Sequence, residues 1–185
     1  MRAIDLCVAL VLSIVCLPLI LLLGLAIRLD SNGPAIFRQQ RIGRHGIPFS
    51  CLKLRTMQVS AENTATHLVS THSVTRVGRY LRAMKLDELP QLVNVIKGEM
   101  SLVGPRPCLP SQTELVQHRS RLGVLDVRPG ITGLAQVRGI DMSDPERLAA
   151  VDRDYVISKS LRLDLALLLR TLLGAGQGDR TSTNH

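Results

Sequence analysis

Asp87 to Pro107 reads DELPQLVNVIKGEMSLVGPRP, which sets two adjacent carboxylates beside an apolar pattern of helix length and ends in an Arg between two prolines. Leu86, Leu89, Leu92, Val93 and Ile96 recur at spacings of three and four, which predicts an amphipathic helix from about Leu86 to Lys97 that Gly98 closes. Asp87 and Glu88 then fall in or just before its first turn, where free N–H groups and the macrodipole favour negative charge. Helix stabilisation alone would account for an isolated pair of this kind. This pair has company: Arg82 and Lys85 lie just upstream, and Val103-Gly104-Pro105-Arg106-Pro107 follows one helix length later. An Arg flanked by prolines has little backbone freedom and can present its planar fork to phosphate oxygens, while adjacent carboxylates can hold magnesium or supply a nucleophile.

The run Asp87-Glu88-Leu89-Pro90-Gln91-Leu92, followed by Asn94-Val95, Lys97-Gly98, Met100-Ser101, Val103-Gly104 and Pro105-Arg106-Pro107, resembles the bacterial sugar transferases that start glycan assembly on polyprenyl phosphate, the monotopic phosphoglycosyl transferases. Gly33-Pro34, Phe37, Gln40-Arg41, Gly43, Gly46, Phe49 and Lys53 to Met57 match the same family. So do Pro129-Gly130-Ile131-Thr132-Gly133, the pair Asp152 and Tyr155, and Leu163-Asp164-Leu165. Three positions depart from the family pattern: Leu17-Pro18 stands for Ser-Pro, Leu134 for Trp, and Gly139-Ile140 for Gly-Arg.

Composition narrows the class independently. A chain of 185 residues suits one compact domain. Its net charge of +8 calls for an anionic partner, but with no Trp, two Tyr and two Phe it lacks the aromatics that stack on bases, which argues against nucleic acid. An anionic membrane surface or a phosphorylated substrate remains. Cys7, Cys16, Cys51 and Cys108 show no metal-ligand spacing and read as small apolar fillers in a reducing compartment.

Along the chain, Leu6 to Ile27 carries no charge, and as a helix at ~1.5 Å per residue it would reach roughly 33 Å, enough to cross a bilayer. Pro18 in its middle can kink it, and the resemblance implies a re-entrant helix-break-helix with both ends on the cytoplasmic side. Ala35 to Arg38 and Ile47 to Leu54 predict a β-hairpin, whose Arg41, Arg44, Lys53 and Arg55 read either as a solvated basic face at the membrane or, for Lys53, as part of the site. Gln58 to Thr75, with His67 and His72, is expected to be a mobile loop or lid. Val77 to Met84 predicts a short cationic helix that delivers Arg82 towards the dyad. A surface helix capped by Ser111 and Glu114 follows, then a P-G-I-T-G turn whose glycines imply close backbone approach to the core or to a ligand. Ser143 is expected to cap a helix through Leu148, Val151 and Tyr155, and Leu161 to Leu173 to lie in the membrane interface.

The expected architecture is α+β, mainly helical: a membrane-embedded helix at residues 1–29, a catalytic domain at 30–173 and a disordered tail at 174–185. The resemblance implies transfer of sugar-1-phosphate from a UDP-sugar to polyprenyl (undecaprenyl) phosphate, releasing UMP at the cytoplasmic face of the bacterial inner membrane. Asp87 is the expected nucleophile and Glu88 the Mg2+ ligand, with Asp87 also beside the metal. Arg106, Arg82, Lys53, Asp152 and Arg138 are the expected substrate-binding residues, Arg138 standing in for the absent Gly-Arg arginine. Asp164 is expected to be structural. Two other classes share this composition: a glycosyl transferase releasing UDP, and a basic membrane-surface module that needs no metal and makes no nucleotide.

Overall fold

The computed structural model describes residues 2–59 and 73–175; most of the expected lid, with His67 and His72, and nearly all of the expected tail lie outside them. The fold is α+β and mainly helical. Helix α1 (Arg2–Asp30) precedes a hairpin of β1 (Ile36–Ile42) and β2 (Pro48–Leu54). Then come α2 (Arg76–Ala83), α3 (Gln91–Lys97) and β3 (Ser101–Val103). The chain continues through α4 (Thr113–Arg121), β4 (Gly130–Thr132), the single-turn α5 (Leu134–Val137), α6 (Pro145–Ser158) and α7 (Leu161–Leu172). β1 and β2 pair antiparallel, Phe37 opposite Lys53, and β3 pairs parallel with β4, Ser101 opposite Gly130.

The expected helix from Leu86 to Lys97 is two pieces. Pro90 cannot donate an i−4 hydrogen bond, so Leu86–Glu88 forms a separate 3-10 turn and α3 starts at Gln91. Gly98 ends α3 at φ 87°, as its position predicts. Buried Asn94 then joins α3 to the hairpin: its Oδ1 accepts from Leu52 N at 3.0 Å and its Nδ2 donates to Ser50 O at 2.8 Å, satisfying backbone groups of β2 that no strand covers. This places the dyad turn against Lys53.

α1 runs unbroken through Pro18, so the expected break is absent from the helix. Both its ends are bonded to the rest of the chain. At the start, Arg2 donates to Val95 O (2.6 Å) and Ile96 O (3.0 Å), and Asp5 accepts from Ser101 Oγ at 2.7 Å. At the far end buried Arg55 donates to Ser31 O at 2.7 Å, and Asp30 Oδ2 accepts from Val77 N. Ala9 packs into the core formed by Phe49, Leu92, Val95 and Met100, and Ile27 into a second cluster with Leu54 and Leu81. Most of the remaining apolar side chains of α1, among them Ile14, Val15, Leu21 and Leu22, are exposed.

The basic face expected on the hairpin is solvated only in part: Arg44 is exposed, whereas Arg41 and Arg55 are both 5% exposed and donate to backbone carbonyls and Gln39. In α2 Gly78 and Leu81 face inward and Met84 is exposed, because the Cβ that Gly78 lacks would stand 2.2 Å from Thr56 O. α4 has no side-chain cap; the Gln112 side chain turns back to accept from Leu109 N, leaving Ser111 outside the cap. Asp144, one residue beyond the expected Ser143, caps α6 by accepting from Arg147 N, with Pro145 at the first helical position. On α7, Asp164 faces inward to Tyr155 Oη (2.8 Å), so the outer face is Leu161, Leu165, Leu169 and Leu172 with Arg162 and Arg170 beside them.

Candidate active site

The dyad sits in the 3-10 turn between α2 and α3. Asp87 is 9% exposed, and no described residue donates a hydrogen bond to its carboxylate. Burial pushes its pKa above the ordinary carboxylate value; the cations Lys53, Arg106 and Arg82 pull it back in part, and Glu88 adds to the rise. Glu88 is the bonded partner: its Oε1 meets Arg106 Nη1 at 2.9 Å and Lys53 Nζ at 3.3 Å. The two acids are thus distinct in kind. One is desolvated without a donor, and the other is held in place by two cations.

Lys53 arrives from β2, Arg106 from the loop after β3, and Arg82 from the last turn of α2, where its Nε donates to Thr56 Oγ1 at 2.9 Å. The structure therefore assembles Asp87, Glu88, Lys53, Arg82 and Arg106 as the sequence anticipates. Asp152 and Arg138 are not part of this group. Asp152 lies behind the Pro-Arg-Pro turn, where its Oδ2 accepts from Arg119 Nη2 at 2.6 Å and Nε at 3.0 Å, each side chain 2% exposed. Buried on both sides, it has no face for a substrate. Burial raises the Asp152 pKa more than the Arg119 guanidinium lowers it, so the pair contributes less to stability than its distance suggests. Arg138 is exposed at the end of α5 and is not among the charges that act on Asp87. Leu134 and Ile140, the other departures, pack against the two hydrophobic clusters.

Sequence reasoning missed Arg119, read as part of a helix without chemistry. Prolines 105 and 107 supply no N–H, so the carbonyls around Arg106 need donors from elsewhere. Each has one. Pro105 O accepts from Gly130 N (2.9 Å) and Arg106 O from Arg119 Nη1 (2.8 Å). Pro107 O accepts from Arg41 Nη1 (2.9 Å) and Cys108 O from Ile42 N (2.9 Å). The P-G-I-T-G glycines serve this same turn. A Cβ on Gly130 would stand 2.1 Å from Gly104 N and one on Gly133 2.2 Å from Gly104 O, so the close approach is backbone to backbone and not to a ligand.

The family model for bacterial sugar transferases matches residues 1–177, which include the dyad, its three cations and the apolar helix. The chain belongs to the bacterial sugar transferase family. It is 45% identical over 181 residues to a UDP-glucose:undecaprenyl-phosphate glucose-1-phosphate transferase of Caulobacter vibrioides, with 92% of this chain and 67% of that protein covered. It is 36% identical to an undecaprenyl-phosphate galactose phosphotransferase of Salmonella typhimurium, covering 92% of this chain and 39% of that one. A sugar transferase of Bacillus subtilis, EpsL, is 40% identical with 92% and 84% covered. This sugar transferase thus spans about four fifths of one of these relatives, two thirds of another and two fifths of the third.

The dyad also fits a magnesium ion. Magnesium is commonly bound by one or two carboxylates with substrate phosphates completing its oxygen shell. The donor-free, desolvated Asp87 carboxylate is the kind of group a cation relieves. Among the described residues no cluster of three or more His, Cys, Asp or Glu offers an all-protein metal cage.

Proposed function

We propose that the chain is a phosphoglycosyl transferase that moves sugar-1-phosphate from a UDP-sugar to undecaprenyl phosphate and releases UMP. The observation that carries this reading is the donor-free Asp87 carboxylate beside a Glu88 clamped by Lys53 and Arg106. The activities named for the Caulobacter and Salmonella relatives support the substrate class.

In this reading a carboxylate oxygen of Asp87 attacks the phosphorus attached to the sugar. The bond to the bridging diphosphate oxygen breaks, and UMP leaves with that oxygen and both electrons. A phosphate oxygen of the lipid then attacks the same phosphorus and returns Asp87 to a free carboxylate. Asp87 must be ionised, and its lack of a hydrogen-bond donor leaves its lone pairs available. Glu88 and Asp87 would hold Mg2+, which supplies neutralisation of diphosphate charge so that one anion can approach another. Arg106 and Lys53 face the phosphates, and Arg82 lowers the cost of ionising Asp87.

The contacts of α1 support a membrane placement. A helix crossing a bilayer ends on opposite sides, yet both ends of α1 are bonded to one folded body. We infer that α1 stays in one leaflet, bent as Pro18 permits, with the exposed leucines of α7 in the same interface and the dyad at headgroup depth on the cytoplasmic side. The test is nucleotide release from detergent-solubilised protein given Mg2+, undecaprenyl phosphate and a panel of UDP-sugars. UMP that requires both lipid and metal is the expected result. UDP as product, or no nucleotide across the panel, overturns the reading.

A further inference from the structure

Lys85 is the residue of this site that no motif assigns. It follows the end of α2 at the position where helices usually place Gly, and its backbone is left-handed at φ 55°, ψ 20°. That conformation is unfavourable for a residue with a Cβ, and outliers of this kind gather at functional sites. The strain stands two residues from Asp87, so the turn that carries the dyad begins at Lys85.

Its ammonium lies in the field of Glu88 and Arg106, yet it bonds neither acid of the dyad. Nζ donates instead to a neutral acceptor, Ala175 O, at 2.8 Å, just past the end of α7. Lys53, Arg106 and Arg82 act on Asp87, and Lys85 acts on Glu88, so four cations attend a turn that carries two acids. Cations in excess of acids favour an anionic ligand there. A phosphate oxygen is a far better acceptor for an ammonium than a peptide carbonyl, so an arriving phosphate displaces Ala175 O.

We propose that Lys85 is a further phosphate-binding residue of the active site, its ammonium resting on the Ala175 carbonyl until a substrate phosphate replaces it. This rests on the proposed function for the identity of the phosphate, which is either that of the nucleoside diphosphate donor or that of the lipid acceptor. The experiment compares full-length wild type, Lys85→Met, Lys85→Arg and Lys85→Gly in detergent with Mg2+, reading equilibrium binding of UDP and of undecaprenyl phosphate alongside thermal midpoints.

Lys85→Met and Lys85→Gly are expected to weaken one of the two ligands about tenfold, the loss of one charge-assisted hydrogen bond, and Lys85→Arg to restore most of it. Weakened UDP assigns the residue to the donor, and weakened undecaprenyl phosphate assigns it to the acceptor. Unchanged affinity for both ligands, with a lower thermal midpoint for Lys85→Met alone, overturns the proposal and leaves Lys85 as a helix cap. Binding is read without turnover, so this result stands apart from whether UMP is made.

Discussion

Between Pro105 and Cys108 every carbonyl is held by a donor from another element, and the one side chain that matters, Arg106, projects from a mount that cannot yield. Between Lys85 and Glu88 the arrangement differs: a left-handed residue opens the turn, Asp87 is desolvated with no hydrogen-bond donor among the described residues, and Glu88 is clamped by Arg106 and Lys53. The first turn is rigid because phosphate recognition by a planar fork depends on orientation. The second holds a desolvated carboxylate, which suits the nucleophile proposed for Asp87. Stability is concentrated on the binding side of the site and given up on the reacting side.

Asp87→Asn should separate the two most sharply. It removes the proposed nucleophile and should lower transfer by at least about a thousandfold, measured as UMP formation. Co-sedimentation with membranes should persist, because α1 and α7 are untouched. Full activity in this variant would sink the assignment of Asp87.

Arg119→Ala attacks the rigid turn. It leaves Asp152 as an unpaired buried charge, a loss of about 3–5 kcal/mol that denaturant unfolding would read. Arg119→Lys keeps the charge but cannot serve Asp152 and Arg106 O with the same fork, so kcat/KM should fall by more than the smaller loss of stability explains. An Arg119→Lys enzyme with unchanged kcat/KM would mean that the turn holds Arg106 without it.

Glu88→Gln keeps an acceptor for Lys53 and Arg106 and removes one negative charge. The Mg2+ concentration for half-maximal activity should rise about tenfold, the scale of one charged ligand interaction. An unmoved Mg2+ dependence would take Glu88 out of the metal site.

The smallest effect is on stability. Asp87 has a raised folded pKa, so the native state holds its proton more tightly than the unfolded chain does. The resulting stability is full below the ordinary value of 3.8 and is lost as pH rises through the raised one. At neutral pH Asp87→Asn should therefore melt above wild type, a gain that vanishes in acid. Equal midpoints at neutral pH would show that the surrounding cations cancel the burial. For the same reason turnover should fall at the acid side from a pH above the usual carboxylate range.

The dyad, the Gly98 stop, the hairpin, the apolar α1 and the Pro-Arg-Pro turn were legible because each is written in neighbouring residues: periods of three and four, alternation, a proline or a glycine at a turn. Even there Pro90 moved a boundary, since one missing N–H outweighed five apolar positions in phase. The partners of Asp152, Asn94 and Arg55 were decided only by packing. Asp152 reads the same whether it faces a substrate or Arg119, which stands 33 residues earlier in sequence. Arg2 was no more than a basic flank until it met Val95 O across 93 residues. Apolar periodicity and turn residues act through the local backbone, so sequence alone determines them. A charge takes its meaning from whatever the fold brings within hydrogen-bonding reach, and only the tertiary structure decides that.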